Sequence, residues 1–215
     1  MVKERVMIKF EEHKNVFITG WLLALTALIG TGLLIAVNSH SKPYIAINER
    51  NALLRSLNTV LSRDLYDNDI LNDIIYIKDE SLLGSKDETI IYRARKNKKP
   101  TAAVLKVIAP NGYSGEIVLL VGIKYSGEIT GVRVLKHRET PGLGDSIEIQ
   151  RSNWIDSFAG KSRNEPTASG WKVKRDGGQF DQFTGATITP RAVVGAVHKA
   201  LIFFENNRTN IFTNP

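Results

Sequence analysis

The fold of this chain is decided by residues Glu116–Lys136, EIVLLVGIKYSGEITGVRVLK. Two runs within this stretch, 116–125 and 128–136, are rich in β-branched side chains, which favour β-strands. Between them, Ser126-Gly127 is typical of a tight hairpin turn. Two strands joined by so short a turn run antiparallel, and we therefore expect an antiparallel sheet that includes this hairpin.

Three segments ahead of the hairpin have the same strand character: Ile74–Lys78, Thr89–Arg95 and Thr101–Ala109. The basic segment Lys96–Pro100 is interpreted as a turn between the last two. Apolar residues at helical spacing predict three helices, over 44–62, over Ser146–Ala159 and from Pro190 to about Phe204. Strands that follow one another, with helices before and after, predict an α+β fold with a mostly antiparallel sheet and flanking helices.

An apolar segment precedes this domain. Val16–Val37 contains 22 residues and no charged side chain. As a helix it would span about 33 Å, enough for a hydrocarbon core of roughly 30 Å. A cleaved signal peptide is the alternative, but its apolar region would be roughly 7–15 residues long, with an A-x-A-like site after it. We predict a single N-terminal transmembrane helix that is retained as an anchor.

The charges that flank this segment predict its orientation. Four basic residues precede it, whereas the next fifteen or so residues contain only Lys42 and Arg50. The positive-inside rule then predicts a cytoplasmic N-terminus. We expect a cytoplasmic segment at 1–15, the transmembrane helix at 16–37, a helical connector at 38–72 and a periplasmic domain at 73–215, in a bacterial inner membrane.

Composition excludes several kinds of cofactor. The chain has no cysteine, which excludes disulfides, cysteine-ligated iron–sulfur clusters and CxxCH haem attachment. Its four histidines lack metal-ligand spacing, and it contains no P-loop, dinucleotide fingerprint or nucleophile elbow. We expect no metal site and no catalytic residue. The net charge of +7 on an exported protein favours anionic lipid, an acidic partner or an anionic cofactor over nucleic acid.

The segment Asp181–Arg191, DQFTGATITPR, contains a candidate phosphate site. Pro190 fits the first position of a helix, which makes Thr189 the N-cap. The unpaired N–H groups and partial positive charge at a helix start attract phosphate. Thr187 lies two residues upstream, and its hydroxyl can face that helix start.

The neighbours of Thr187 are consistent with such a site. Gly185 and Ala186 leave space for a bulky group, and Arg191 in the first turn could contact a phosphate. On these residues alone, however, a plain turn with a capping hydroxyl is the better interpretation.

Longer motifs favour the phosphate site over the plain turn. The pattern Asp181-x-x-Thr184-Gly185-Ala186-Thr187 resembles the flavinylation motif of the FMN-binding domain family. In that family a flavin transferase, using FAD, joins FMN through its phosphate to the last threonine of the motif, here Thr187. The segment Glu139–Gly144, ETPGLG, resembles a loop that lies against the flavin. The resemblance therefore implies cofactor contacts at Glu139, Thr140, Leu143, Gly144, Thr184, Gly185, Ala186, Thr189 and Arg191.

Together with the anchor, Asn111–Gly115 and Lys174–Gly178, these motifs resemble the G subunits of Rnf (Rsx) ion-translocating oxidoreductase complexes over nearly the whole chain. Thr184 stands where many members have serine and keeps the hydroxyl. The resemblance implies covalent FMN and a relay role in electron transfer between NADH and ferredoxin, coupled to ion transport. The implied partners are the other Rnf subunits, including the membrane subunits, the flavin transferase and the lipid bilayer.

Three alternatives remain open: the C subunit of the sodium-translocating NADH:quinone oxidoreductase, an anchored scaffold subunit without cofactor in which Thr187 only caps a helix, and an exported flavoenzyme with its own substrate. The basic run Lys172–Arg175 also has two interpretations. It is either the outward face of a strand or a source of positive charge that stabilises a reduced, anionic flavin.

Overall fold

The computed structural model describes the backbone of residues 2–213 and, within that range, the side chains of residues 20–42, 44 and 47–213. The chain divides into two compact units, Met1–Ala52 and Leu53–Pro215. Helix α1 covers Val2–Val60 and therefore supplies the whole described part of the first unit and the beginning of the second. The helix predicted over 44–62 is thus the continuation of α1 and not a separate element after Pro43.

The described part of α1 contains a candidate membrane span, Gly20–Asn58. Its most apolar 18-residue window has a mean hydropathy of 2.1, and none of that window is buried in the protein. By length and composition this helix can cross a membrane. Side chains 16–19 of the predicted span lie outside the described residues. The chain therefore has one candidate N-terminal membrane anchor among the residues that the structure describes.

The second unit contains a five-stranded sheet in which each strand pairs antiparallel with the next along the chain. The strands are β1 Ile74–Ile77, β2 Thr89–Lys96, β3 Lys99–Ala109, β4 Ile117–Lys124 and β5 Ile129–Lys136. The predicted antiparallel α+β fold is confirmed. The β2–β3 turn has Asn97 and Lys98 at φ 51° and 64°, as a two-residue type I′ hairpin requires.

Each face of the sheet buries a separate apolar cluster. One cluster packs against helix α3, Ile188–Thr213, and against the short helix α2, Glu80–Leu83. The other packs against the last turns of α1, which supply the buried Leu57 and Val60. Gly122 permits this second contact, because a Cβ there would lie 2.6 Å from the carbonyl oxygen of Val60.

The predicted helix over Ser146–Ala159 is wrong. The segment forms two short 3₁₀ helices, Gly144–Ile147 and Asn153–Phe158. They are separated at Ser152, which is extended; its hydroxyl donates to the Ser146 carbonyl at 2.7 Å and accepts from the Trp154 N–H at 3.2 Å. The apolar spacing identified buried positions correctly, since Ile147, Ile155 and Phe158 are all in the core.

Candidate functional site

A tight turn positions the residues around Thr187. The N–H of Ala186 donates to the carbonyl of Phe183 at 3.1 Å, which closes a four-residue turn. Gly185 occupies the third position with φ 80°, a value that type II turns require and that favours glycine. Phe183 packs edge-on against Trp154 at 5.1 Å, and the indole N–H of Trp154 donates to the Asp181 carbonyl at 2.8 Å. The turn is therefore anchored to the domain core.

The helix start lies two residues earlier than the sequence predicted. Helix α3 begins at Ile188, and the N–H of Arg191 donates to the Thr187 carbonyl at 3.3 Å. Thr187 therefore occupies the N-cap position, and the prediction of Thr189 as N-cap with Pro190 at the first helical position is wrong. Proline fixes φ near the helical value and lacks an N–H, so it is tolerated throughout the first turn. The pattern Thr-Pro alone cannot distinguish the first helical position from the third.

Pro190 at the third helical position affects the hydroxyl of Thr187. An N-cap hydroxyl ordinarily accepts from the N–H of the second or third helical residue. The third residue here has no N–H to donate. Within the described part of the chain, the Thr187 hydroxyl makes no hydrogen bond.

A pocket of about 490 Å³ lies beside Thr187. It brings together two segments that the sequence marked separately, the 139–144 loop and the start of α3. The lining residues are Tyr113, Glu139, Thr140, Leu143, Gly144, Gly185, Ala186, Thr187, Ile188 and Thr189. Eight of the ten predicted cofactor residues are therefore in one place; Thr184 and Arg191 are not among those that line the pocket.

Glu139 is the structural centre of this pocket. Its side chain is 4% exposed. One carboxylate oxygen accepts from the Ser114 N–H at 3.0 Å, and the other accepts from the hydroxyl of Thr189. Gly144 is packed so closely against it that a Cβ would lie 2.9 Å from the second oxygen. Glu139 thus connects three segments that line the pocket.

His137 holds the same loop from its other side. Its Nδ1 accepts from the Glu139 N–H at 3.0 Å, and the opposite ring nitrogen lies 2.8 Å from a carboxylate oxygen of Glu148. An Nδ1 that accepts leaves the proton on Nε2, which then donates to Glu148. His137 therefore fixes the loop backbone, as a residue at the end of a strand is placed to do.

The three threonines of the segment have different surroundings. Thr189 is fully buried, and its hydroxyl donates to Glu139. Thr184 is exposed on the turn, away from the pocket lining. Thr187 is half-buried and lines the pocket. Of the three, Thr187 alone combines a pocket position with a hydroxyl that makes no hydrogen bond to another described residue.

Arg191 points away from the pocket and pairs with Asp176. Two of its nitrogens donate to the two carboxylate oxygens at 2.6 and 2.8 Å. These hydrogen bonds from Arg191, together with nearby positive charge, hold the pKa of Asp176 below its usual value. Arg191 lines a second pocket, of about 380 Å³, on the other side of Ile188. Arg191 is therefore not positioned to contact a group in the first pocket.

Two pocket residues were missed in the sequence. Tyr113 and Ile188 are exposed aromatic and aliphatic side chains at the pocket, like Leu143. Tyr113 lies in the segment Asn111–Gly115 that the family resemblance had already marked. Ile188 is the residue directly after Thr187, and this adjacency was the available signal in the sequence.

Comparisons with known proteins identify the family of the domain that contains this pocket. Residues 112–202 match the family model of the FMN-binding domain, and residues 7–60 match that of the RnfG N-terminal region. The G subunit of the ion-translocating oxidoreductase complex of Shewanella baltica (strain OS223) is 46% identical over 196 residues, which cover 91% of this chain and 92% of that protein.

Two further curated relatives have the same name. The protein of Aliivibrio fischeri (strain MJ11) is 44% identical over 194 residues, 90% of this chain and 92% of its own length. That of Pseudomonas aeruginosa (strain UCBPP-PA14) is 47% identical over 190 residues, 88% of this chain and 89% of its own. The chain therefore belongs to the family of G subunits of ion-translocating oxidoreductase complexes, and it contains an FMN-binding domain.

Proposed function

We propose that this protein is a membrane-anchored electron carrier that holds FMN as a phosphoester on Thr187. Its role is to relay electrons within a complex that couples electron transfer between NADH and ferredoxin to ion translocation. The observation that carries the proposal is the Thr187 hydroxyl, which lines the pocket and makes no hydrogen bond with any other described residue.

The start of α3 supports the phosphate end of the cofactor. Among the residues that the structure describes, the N–H groups of Thr187, Ile188 and Thr189 have no hydrogen-bond partner. Unpaired N–H groups at a helix start, together with the helix dipole, stabilise phosphate. The N-terminus of the 26-residue helix α3 carries the partial positive charge of the helix dipole. A phosphodiester on Thr187 would lie at this helix start, where unpaired N–H groups are available as donors.

The pocket supports the rest of the cofactor. Its volume of about 490 Å³ falls within the roughly 300–1,000 Å³ of small-molecule sites. Tyr113, Leu143 and Ile188 offer aromatic and aliphatic surface to a flat ring, and Gly185 keeps the turn free of a side chain. FMN bound here supplies reversible electron transfer, while the chain supplies attachment, orientation and electrostatic surroundings. No nicotinamide motif is found in the sequence, in agreement with a relay role.

The membrane placement is part of the proposal. The flanking charges support a cytoplasmic N-terminus and a periplasmic FMN domain in the inner membrane. A carrier outside the cytoplasm would lose dissociated FMN, and a covalent bond makes its occupancy independent of free FMN. The proposed partners are the other subunits of the complex, membrane subunits among them, and a flavin transferase for maturation.

Covalent attachment has a direct test. The full-length protein is expressed with and without a flavin transferase, denatured, and examined for in-gel flavin fluorescence. We expect fluorescence that survives denaturation only when the transferase is present. Absence of bound flavin under both conditions would instead support a scaffold subunit in which Thr187 only caps α3.

A further inference from the structure

The charged side chain that faces the pocket is negative. Among the residues that the structure describes, ten line the pocket, and only Glu139 has a charged side chain. Two cations pair with carboxylates outside the lining: Lys174 of the basic run, and Arg191, which the sequence suggested as a phosphate contact. Lys174 lies 2.6 Å from Asp181, and Arg191 pairs with Asp176. No residue of the basic run Lys172–Arg175 is among the described residues that line the pocket.

The carboxylate of Glu139 is held as an acceptor. Both of its oxygens accept hydrogen bonds, one from a backbone N–H and one from a hydroxyl, as the oxygens of an ionised carboxylate do. The positive end of α3 stabilises a negative charge at the same place. Gly112 and Gly144 enclose the side chain, because a Cβ at either position would lie 2.9 Å from one of its oxygens. The charge is therefore fixed in position.

We propose that Glu139 lowers the reduction potential of the flavin held in this pocket, and this inference rests on the proposed function. A sphere of the pocket's volume is about 10 Å across, comparable with the Debye length of roughly 10 Å at 0.1 M salt. A buried charge is screened less than an exposed one at the same distance. The negative charge of Glu139 therefore opposes the gain of negative charge when the flavin is reduced. In this role Glu139 acts on the reduction potential of the flavin through its charge, and not only through the hydrogen bonds that it makes to the protein.

The test measures the midpoint potential of the attached flavin by spectroelectrochemical titration. Full-length protein in detergent, matured with the transferase, is compared with Glu139→Gln, which keeps the shape and removes the charge, and with Glu139→Asp, which keeps the charge. The control is Glu205→Gln, the same chemical change about 26 Å along α3 from Ile188. We expect a higher potential in Glu139→Gln alone, with Glu139→Asp and Glu205→Gln close to the unmodified protein.

The outcomes separate the two proposals. Unmodified protein without covalent flavin contradicts the proposed function. Flavin that is attached in Glu139→Gln with an unchanged or lower potential overturns the present inference. If Glu139→Gln fails to hold flavin, the comparison moves to the exposed neighbour Thr140, which also lines the pocket. Thr140→Glu must then give a lower potential than Thr140→Gln, and equal potentials overturn the inference.

Discussion

The hydroxyl of Thr189 donates a hydrogen bond to the buried carboxylate of Glu139, 50 residues earlier in the chain. This bond joins the start of α3 to the 139–144 loop. Thr189→Val removes the donor and leaves a buried charged acceptor one partner short, at a cost of about 2 kcal/mol in the free energy of unfolding. For a chain of this size, we expect a fall in Tm of about 4–8 °C.

Thr189→Ser is the matched control, since it keeps the hydroxyl. Thermal unfolding of the full-length protein in a non-ionic detergent measures both variants. The serine variant should lose much less stability than the valine variant. Equal losses in the two would mean that packing of the threonine methyl group, and not the hydrogen bond, stabilises this contact.

The position of the flavin attachment is the second prediction. Thr187→Val should abolish covalent labelling because the hydroxyl is the acceptor of the phosphoryl group, whereas Thr187→Ser should keep it. Denaturing gels report the label, and fragmentation of the tryptic peptide Asp176–Arg191 distinguishes the three threonines within it. Labelling that persists in Thr187→Val would transfer the assignment to Thr184 or Thr189. The fully buried Thr189 is then the less accessible of the two.

The sheet could be predicted from sequence because its determinants are local. Short turns such as Ser126-Gly127 set the pairing of adjacent strands, and the five strands follow one another along the chain. The prediction of one helix over Ser146–Ala159 was wrong because two 3₁₀ helices can also bury apolar residues at nearly helical spacing. The hydrogen bonds of Ser152, which separate the two 3₁₀ helices, leave no signal in the spacing of apolar residues.

The site could be predicted only in part. The motif identified the turn and the loop, and the structure places both at one pocket. The electrostatic partners were not predictable, because they are distant in sequence: Asp176 is 15 residues from Arg191. Arg191 therefore looked like a free cation at a helix start, although its guanidinium is already engaged. Glu139 lines the pocket, but the sequence did not reveal that both of its oxygens bond to the protein.

Gly144 provides the third prediction. A Cβ at this position would lie 2.8 Å from the Glu139 Cβ and 2.9 Å from the Thr189 hydroxyl oxygen. Both neighbours are buried and bonded to each other, and neither can move aside freely. We expect Gly144→Ala to destabilise the protein by about 1–3 kcal/mol, the usual cost of overpacking, and to reduce the yield of flavin attachment.

Gly195→Ala is the control for Gly144→Ala. Gly195 lies in the interior of α3, and a Cβ there meets nothing within 4 Å. Because alanine is favoured over glycine in a helix by about 1 kcal/mol, Gly195→Ala should raise Tm while Gly144→Ala lowers it. Opposite shifts in Tm would establish that the space available for a Cβ, and not the loss of glycine itself, determines the change in stability. A Gly144→Ala variant with unaltered Tm and labelling contradicts the packing described.

The last prediction concerns pH. His198 stacks in parallel on Trp171 with ring centroids 5.1 Å apart, and burial, together with the charge of Arg163, lowers the pKa of His198 below its ordinary value near 6.5. Glu205 faces the same region and pairs with Arg163 at 2.8 Å. The unfolded chain therefore binds a proton at His198 more readily than the folded chain. The stability that His198 contributes is fully present above about pH 6.5 and is lost as the pH falls through the lower, folded pKa.

His198→Phe keeps a flat ring on Trp171 and removes the titration. We expect Tm of the unmodified protein to fall more steeply between about pH 7.5 and 5 than that of His198→Phe. Arg163→Gln removes the cation that opposes protonation, and this change raises the pKa of His198. The Tm of Arg163→Gln should therefore depend on pH less steeply than that of the unmodified protein. Parallel pH dependence in the unmodified protein and His198→Phe would show that other groups set the acid sensitivity of the fold.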